Sequence, residues 1–331
     1  MSVDSAVHTL SSYQLAILAV GSIAFGLFLL FKAGGWTVGA AIYLAQRLGL
    51  SQLFIGATVV AFGTSVPELV TSVNANLSGY PGLSLGNVIG SNIANILLVT
   101  GATAAVFALV ARPRNLVKDA VMVCLATGVL IALMMTGEIE RWHGLALFAV
   151  LLAYVAFAFV SERRGGAEPE LEEEELHVST TWQALLFLGG GLLGLIVGSE
   201  ILVQGAVAAG TALRVPEAVI GVTVVALGTS LPELATCLVA ALRRKVDMVV
   251  GNILGSNLFN ILSIIGLTAL VKPLPVEQDM FAIDMWVMAG TTLVFALWMV
   301  TVARLGRALG IAMMLAYLVF TLWQYRDAML H

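Results

Sequence analysis

Gly56–Gly101 reads GATVVAFGTSVPELVTSVNANLSGYPGLSLGNVIGSNIANILLVTG, and Gly221–Gly266 reads GVTVVALGTSLPELATCLVAALRRKVDMVVGNILGSNLFNILSIIG. The two align without a gap at a constant offset, and about half of the aligned positions are identical. Self-similarity at a fixed offset marks an internal repeat. Each copy places one acid, Glu68 or Glu233, inside an otherwise apolar segment. An acid within a membrane span is costly and is functional by default. Two of them in matching places make a cation site the leading reading.

The rest of the chain supplies the membrane. Of its 331 residues 60% are hydrophobic and only 11% charged, with a mean hydropathy of +0.99. Soluble domains carry about 25% charged residues. Apolar runs of roughly 18 residues or more, each long enough to cross a bilayer, recur along nearly the whole length. The longest polar interruption is Ser161 to Thr181. The formal net charge of −4 is supplied mostly by Glu162 to Glu175, and the basic residues are few and scattered, so nucleic-acid binding finds no support. Cys124 and Cys237 read as small apolar packing residues rather than a metal cluster. His8, His143, His177 and His331 have no partner at ligand spacing. The N-terminus lacks a basic region before its first apolar run, so the first helix is expected to stay in the membrane.

Ten spans are expected, running roughly Tyr13–Val38, Gln52–Leu77, Leu83–Val110, Val117–Met135 and Trp142–Val160, then Trp182–Ala209, Pro216–Leu242, Met248–Val271, Phe281–Val302 and Arg307–Trp323. One set of alternate loops holds Arg47, Arg112, Arg114, Lys118, Arg163, Arg164, Arg243, Arg244, Lys245, Arg304 and Arg307. The opposite set, with both termini, holds only Arg141, Arg214, Lys272 and Arg326. Basic loops stay in the cytoplasm, which puts both termini outside. Five spans per half is odd, so the two copies face opposite ways across the membrane. The expected fold is therefore an all-α integral membrane protein of ten transmembrane helices in two inverted five-helix repeats. Residues 1–160 form the first repeat, 161–181 an acidic cytoplasmic linker, and 182–331 the second repeat. The linker reads as a solvated segment kept extended by its like charges.

The chemistry sits in GTSVPE at 63–68 and GTSLPE at 228–233. Pro67 and Pro232 fall mid-span, where each removes a backbone N–H and frees the carbonyl four residues earlier, Gly63 or Gly228. A free carbonyl in lipid is tolerated only beside protein, water or a cation. Thr64 and Glu68 are four apart and expected on one helix face, as are Thr229 and Glu233, with Ser65 and Ser230 three before the same acids. The next span carries Asn87, Ser91 and Asn95 in one copy and Asn252, Ser256 and Asn260 in the other, each set along one face. All of these donors are oxygen, the preference of hard cations such as Ca²⁺. A Pro kink alone means little, and small polar stripes often serve helix packing. The duplication of the whole pattern favours function. Lys32 is the one base within a span and cannot neutralise two acids. Glu200, alone in its span, reads evenly as packing or gating and as a minor cation role. Asp119, Asp279 and Asp284 read as interfacial.

At these residues the chain resembles the cation/calcium exchanger superfamily, typified by sodium/calcium exchangers: GTSxPE followed by GNxxGSNxxN, present twice. The resemblance implies a ten-helix secondary antiporter exchanging Na⁺ for Ca²⁺ by alternating access. Ca²⁺ and Na⁺ would be transported ions, with no other cofactor and no obligatory protein partner. It implies Glu68 and Glu233 as central ligands. Oxygens would come from Thr64, Thr229, Ser65, Ser230, Ser91 and Ser256, and from the carbonyls of Ala61 and Ala226, with Asn95 and Asn260 completing the middle. Some relatives, potassium-dependent ones included, carry Asp where this chain has Asn260, which makes K⁺ cotransport less expected. Proton/calcium exchangers usually carry an Asn-rich first motif, so the form here looks like the sodium-using branch, with an H⁺-driven or K⁺-dependent antiporter as the alternative. The expected location is a prokaryotic-type plasma (inner) membrane. A channel fits two inverted copies with kinked helices less well than alternating access does. An enzyme is not expected, for there is no HExxH motif and no recognisable Ser–His pair.

Overall fold

Backbone polar groups in lipid must be satisfied within the segment, so apolar runs of this length can settle only as helices. They do so in the computed structural model, which describes residues 12–110, 113–165, 178, 180–213, 228–302 and 304–330. Helix α1 is Ser12–Leu48. A bent pair follows, α2 (Gln52–Thr64) and α3 (Val66–Leu77), and then α4, Pro81–Val106. Strand β1 (Leu109–Val110) leads into α5, Pro113–Met134, and β2 (Glu138–Ile139) into α6, Arg141–Gly165. The second half comprises α7 (Thr181–Ala212), α8 (Leu231–Leu242) and α9 (Val246–Val271). It closes with β3 (Leu274–Pro275), α10 (Gln278–Thr301), β4 (Arg304–Leu305) and α11 (Arg307–Leu330).

Among the described residues 8 helices are long and apolar enough to cross a membrane, and the bent pair taken as one span makes 9. The expected span Pro216–Leu242 is seen only in its second half, because residues 214–227 lie outside the described ones. The first span runs further than its expected end at Val38, to Leu48. Its added turns bury Ala40, Ala41, Ile42 and Ala45 against neighbouring helices, and that packing carries it past the point where apolarity fades.

Helices α4 and α9 form the centre. In α9 every residue from Met248 to Ile265 is buried. Helix α11 is its opposite, with 6% of its apolar window covered, and α6 turns Leu145, Leu152 and Phe157 outward. In a bilayer those faces meet lipid. Close approach to the centre is made by glycine. A Cβ on Gly56 would stand 2.6 Å from the Met248 carbonyl, and one on Gly251 would strike the carbonyl of Leu53. No side chain fits there. Small residues at such crossings are how membrane helices gain dispersion contact without a hydrophobic drive.

Two features relate the halves. Helices α1 and α7 lie side by side: Gly205 abuts Ser22, Gly194 abuts Ala33, and Gly191 abuts Thr37. The partner number falls as the other rises, so the two run antiparallel. Likewise β1 pairs antiparallel with β4, Leu109 opposite Leu305, and β2 with β3, Glu138 opposite Pro275. Since β1 and β2 bracket α5 while β3 and β4 bracket α10, the start of each helix is clipped to the end of the other. Under the repeat alignment α5 and α10 are counterparts, and they too run antiparallel.

Candidate functional site

The serine of each GTSxPE motif leaves helical geometry in the same way, just before a new helix begins. Ser65 has φ −85° and ψ 5°, and Ser230 has φ −87° and ψ 2°. The following helix starts with Pro67 or Pro232 in its first turn, where a missing N–H costs nothing. The axis bends by 43° between α2 and α3. Glu68 and Glu233 therefore sit in the first turn of α3 and α8, where the helix dipole favours a carboxylate. Both are almost fully buried, at 1% and 2% exposure.

The break changes which hydroxyl serves which acid. Thr64 and Glu68 were expected on one helix face, but they lie on opposite sides of the bend, in different helices. Ser65 Oγ instead donates to Glu233 Oε1 of the other motif, at 3.2 Å. Thr64 faces that same carboxyl group while also donating back to the carbonyls of Val60 and Ala61. The reverse pair is not made: Thr229 Oγ1, Ser230 Oγ and Glu68 Oε2 are buried without a partner. The two copies are alike in sequence and unlike in bonding.

Helices α4 and α9 bring the asparagines. Asn95 and Asn260 each open a short π-helical turn, Asn95–Val99 and Asn260–Ile265. Such widened turns recur at functional sites. Asn95 donates to Asn257 Oδ1 at 3.1 Å, and Asn257 donates to the Asn92 carbonyl at 3.4 Å. Asn92 and Asn257, the first asparagines of GSNxxN, were missed in the sequence because they stand one position off the stripe at 87, 91 and 95. Asn87 donates to the Glu68 carbonyl and to Ser72 Oγ, steadying the turn that carries the acid.

Of the remaining expected residues, Ser91 and Ser256 are buried one turn before Asn95 and Asn260. Ala61 is buried, and its carbonyl already accepts from Ser65 N–H at 3.1 Å. Ala226 lies outside the described residues. Glu200 stays apart, exposed on α7 and accepting from Gln204 at 2.7 Å. Lys32 is exposed on α1, whereas both acids are buried. The carbonyl freed by Pro232, that of Gly228, accepts from Ser199 Oγ on α7, a partner the sequence did not reveal.

A donor set emerges from what is left over. Buried and unpartnered are Glu68 Oε2, Glu233 Oε2, Asn95 Oδ1, Asn260 Oδ1, Ser230 Oγ, Ser256 Oγ and Thr229 Oγ1. Buried polar atoms are bonded in the great majority of cases, so this many oxygens from both motifs call for a ligand that accepts oxygen lone pairs. Among the described residues no group of three or more His, Cys, Asp or Glu could hold a metal ion. Two carboxylates among neutral oxygens suit a hard cation.

A multi-pass helical membrane protein with a buried, doubly acidic, oxygen-rich centre is by class a membrane transporter. The family model for sodium/calcium exchanger proteins matches residues 18–160 and again 183–326, and the chain belongs to that family. Its relatives include the inner membrane protein YrbG of Escherichia coli, 33% identical over 85% of this chain and 88% of that one. The sodium/calcium exchanger MaX1 of Methanosarcina acetivorans is 28% identical over 89% and 95%. Among solved structures, the sodium-calcium exchanger NCX_Mj soaked with Na⁺ and Sr²⁺ superposes with a TM-score of 0.78 at 34% identity, covering 92% of this chain and 97% of that one.

Proposed function

We propose that this protein is a secondary active antiporter that exchanges Na⁺ for Ca²⁺ across the membrane by alternating access. The observation that carries the reading is the set of unpartnered buried oxygens contributed by both copies, those of Glu68 and Glu233 among them. Two carboxylates balance one Ca²⁺, and several Na⁺ can take the same oxygens in its place. An empty site holding two uncompensated charges inside the membrane is costly, so the protein moves when loaded and resists moving when empty.

In this reading Glu68 and Glu233 bind both ions, with side-chain oxygens of Thr64, Thr229, Ser65, Ser230, Ser91, Ser256, Asn95 and Asn260 and the carbonyls of Ala61 and Ala226. The helix breaks turn carbonyl ends toward a cation and leave the acids at helix starts, as in other transporters with broken helices. Ten spans in two inverted five-helix repeats fit the antiparallel pairs α1/α7 and α5/α10. The Lys and Arg bias supports both termini outside, in a prokaryotic-type inner membrane.

The test is radiolabelled Ca²⁺ uptake into proteoliposomes under separate Na⁺, K⁺ and H⁺ gradients. An outward Na⁺ gradient should drive uptake that the other two do not. Uptake that is equal with and without the Na⁺ gradient would remove sodium as the driver, and uptake driven by a pH gradient alone would replace it with H⁺.

A further inference from the structure

Among the described residues, both side-chain-to-side-chain hydrogen bonds that cross between the copies run the same way. Ser65 Oγ donates to Glu233 Oε1 at 3.2 Å, and Asn95 Nδ2 donates to Asn257 Oδ1 at 3.1 Å. Each donor belongs to the first copy and each acceptor to the second. The aligned counterparts of the donors are Ser230 and Asn260, and those of the acceptors are Glu68 and Asn92. Neither reverse bond is made: Ser230 Oγ, both amide atoms of Asn260 and Glu68 Oε2 are buried without a partner. Asn92 donates within its own helix instead, to the Val88 carbonyl at 2.7 Å.

The helices beside the site are one-sided too. A Cβ on Gly63 would strike Leu192 of α7, and one on Gly228 would strike Val203 of the same helix. The counterpart of Leu192 in α1 is Leu27, which is 55% exposed. Identical donors that are engaged in one copy and idle in the other record a conformation, not a composition. Inverted repeats are related by a two-fold axis in the membrane plane. Exchanging the conformations of the two copies therefore gives the same structure facing the other side.

We propose that the bonds Ser65–Glu233 and Asn95–Asn257 hold the site in one facing state, and that Ser230–Glu68 and Asn260–Asn92 replace them in the other. Each serine is then a positioning residue for the acid of the opposite copy, in one state only. An unbonded oxygen is free for an ion, so the exchange also moves the freer part of the donor set from one copy to the other. The inference rests on the alternating-access reading and adds which bonds break and which form in its central step.

The test is tracer Ca²⁺ exchange, which needs no Na⁺ gradient, in right-side-out and inverted membrane vesicles. It gives the Ca²⁺ concentration for half-maximal exchange at each membrane face. A site that faces one side for only part of the time binds there with its affinity lowered by that fraction. A lost ligand weakens both faces and cancels in their ratio. Ser65→Ala should move the ratio by roughly tenfold or more in one direction. Ser230→Ala should move it by a similar factor in the other, and the double variant should return it to the wild-type value. Ser65→Thr, which keeps the hydroxyl, should keep the wild-type ratio. Asn95→Ala and Asn260→Ala form a second pair with the same opposition, read independently of the serines. Shifts in the same direction, or no shift, in either pair overturn the proposal. Opposed shifts without Na⁺-driven uptake by the wild type would remove sodium exchange and leave the bond exchange standing. Na⁺-driven uptake with unopposed shifts would do the reverse, and wild-type vesicles with no tracer exchange at all would remove both.

Discussion

The Ser65 hydroxyl donates to Glu233 Oε1 across 168 residues of sequence, in a fully buried setting. The second GTSxPE motif is thus incomplete by itself, since its acid is held by a hydroxyl of the first. A hydrogen bond to a charged group contributes about 1.5–3 kcal/mol. Ser65→Ala should therefore raise the Ca²⁺ concentration for half-maximal uptake by roughly tenfold or more, measured as concentration-dependent radiolabelled uptake. An unchanged curve would mean that the bond is idle during transport.

Glu68→Gln and Glu233→Gln each remove one of the two charges that balance Ca²⁺, and each should reduce uptake to that of protein-free liposomes. Adding Ser65→Ala to Glu233→Gln should then change nothing further, because the bond it removes has lost its charged acceptor. Wild-type uptake by either single Gln variant would overturn the site.

Asn260→Asp adds a third carboxylate where both amide atoms of Asn260 are unpartnered. The added charge needs an added cation, so the net charge moved per cycle should change. The reversal potential of the Na⁺-driven Ca²⁺ flux reads this directly, and an unshifted potential would place Asn260 outside the ion pathway.

Ser199→Ala leaves the buried Gly228 carbonyl without its side-chain donor. The cost of such an orphan is about 1–3 kcal/mol, expected as a lower midpoint of thermal unfolding in detergent, with Ser199→Thr recovering most of it. The counterpart of Ser199 in α1 is Gly34, which has no hydroxyl and packs instead against Val239. An equal loss from Ser199→Ala and an exposed control such as Thr211→Ala would show that the bond contributes nothing.

Gly255 faces Ala57 so closely that a Cβ would stand 2.6 Å from its Cα. Overpacking of this kind costs about 1–3 kcal/mol or more, because the obstacle is backbone and cannot rotate away. Gly255→Ala should lower the unfolding midpoint, whereas Gly90→Ala, which has open space around it, should not.

The repeat made the membrane class, the antiparallel counterparts and the pair of acids legible, since polarity and spacing are properties of the chain itself. Which hydroxyl meets which acid was not legible. Thr64 and Glu68 are four apart, and a continuous helix would align them, but a bend of 43° falls between them at Ser65. Asn92 and Asn257 bond across the two copies, which no spacing within one copy can reveal. Ser199 is one hydroxyl in a span of small apolar residues, and only the carbonyl that Pro232 frees gives it meaning.

Two reciprocal glycine contacts join residues made early to residues made late. Gly101 rests on the Gly310 carbonyl and Gly310 on that of Gly101, while Gly144 and Gly266 meet in the same reciprocal way. Four of the five helices of the second half emerge before Gly310 arrives to close α4 against α11. The Gly101 face of α4 is therefore left without this partner until α11 has been made.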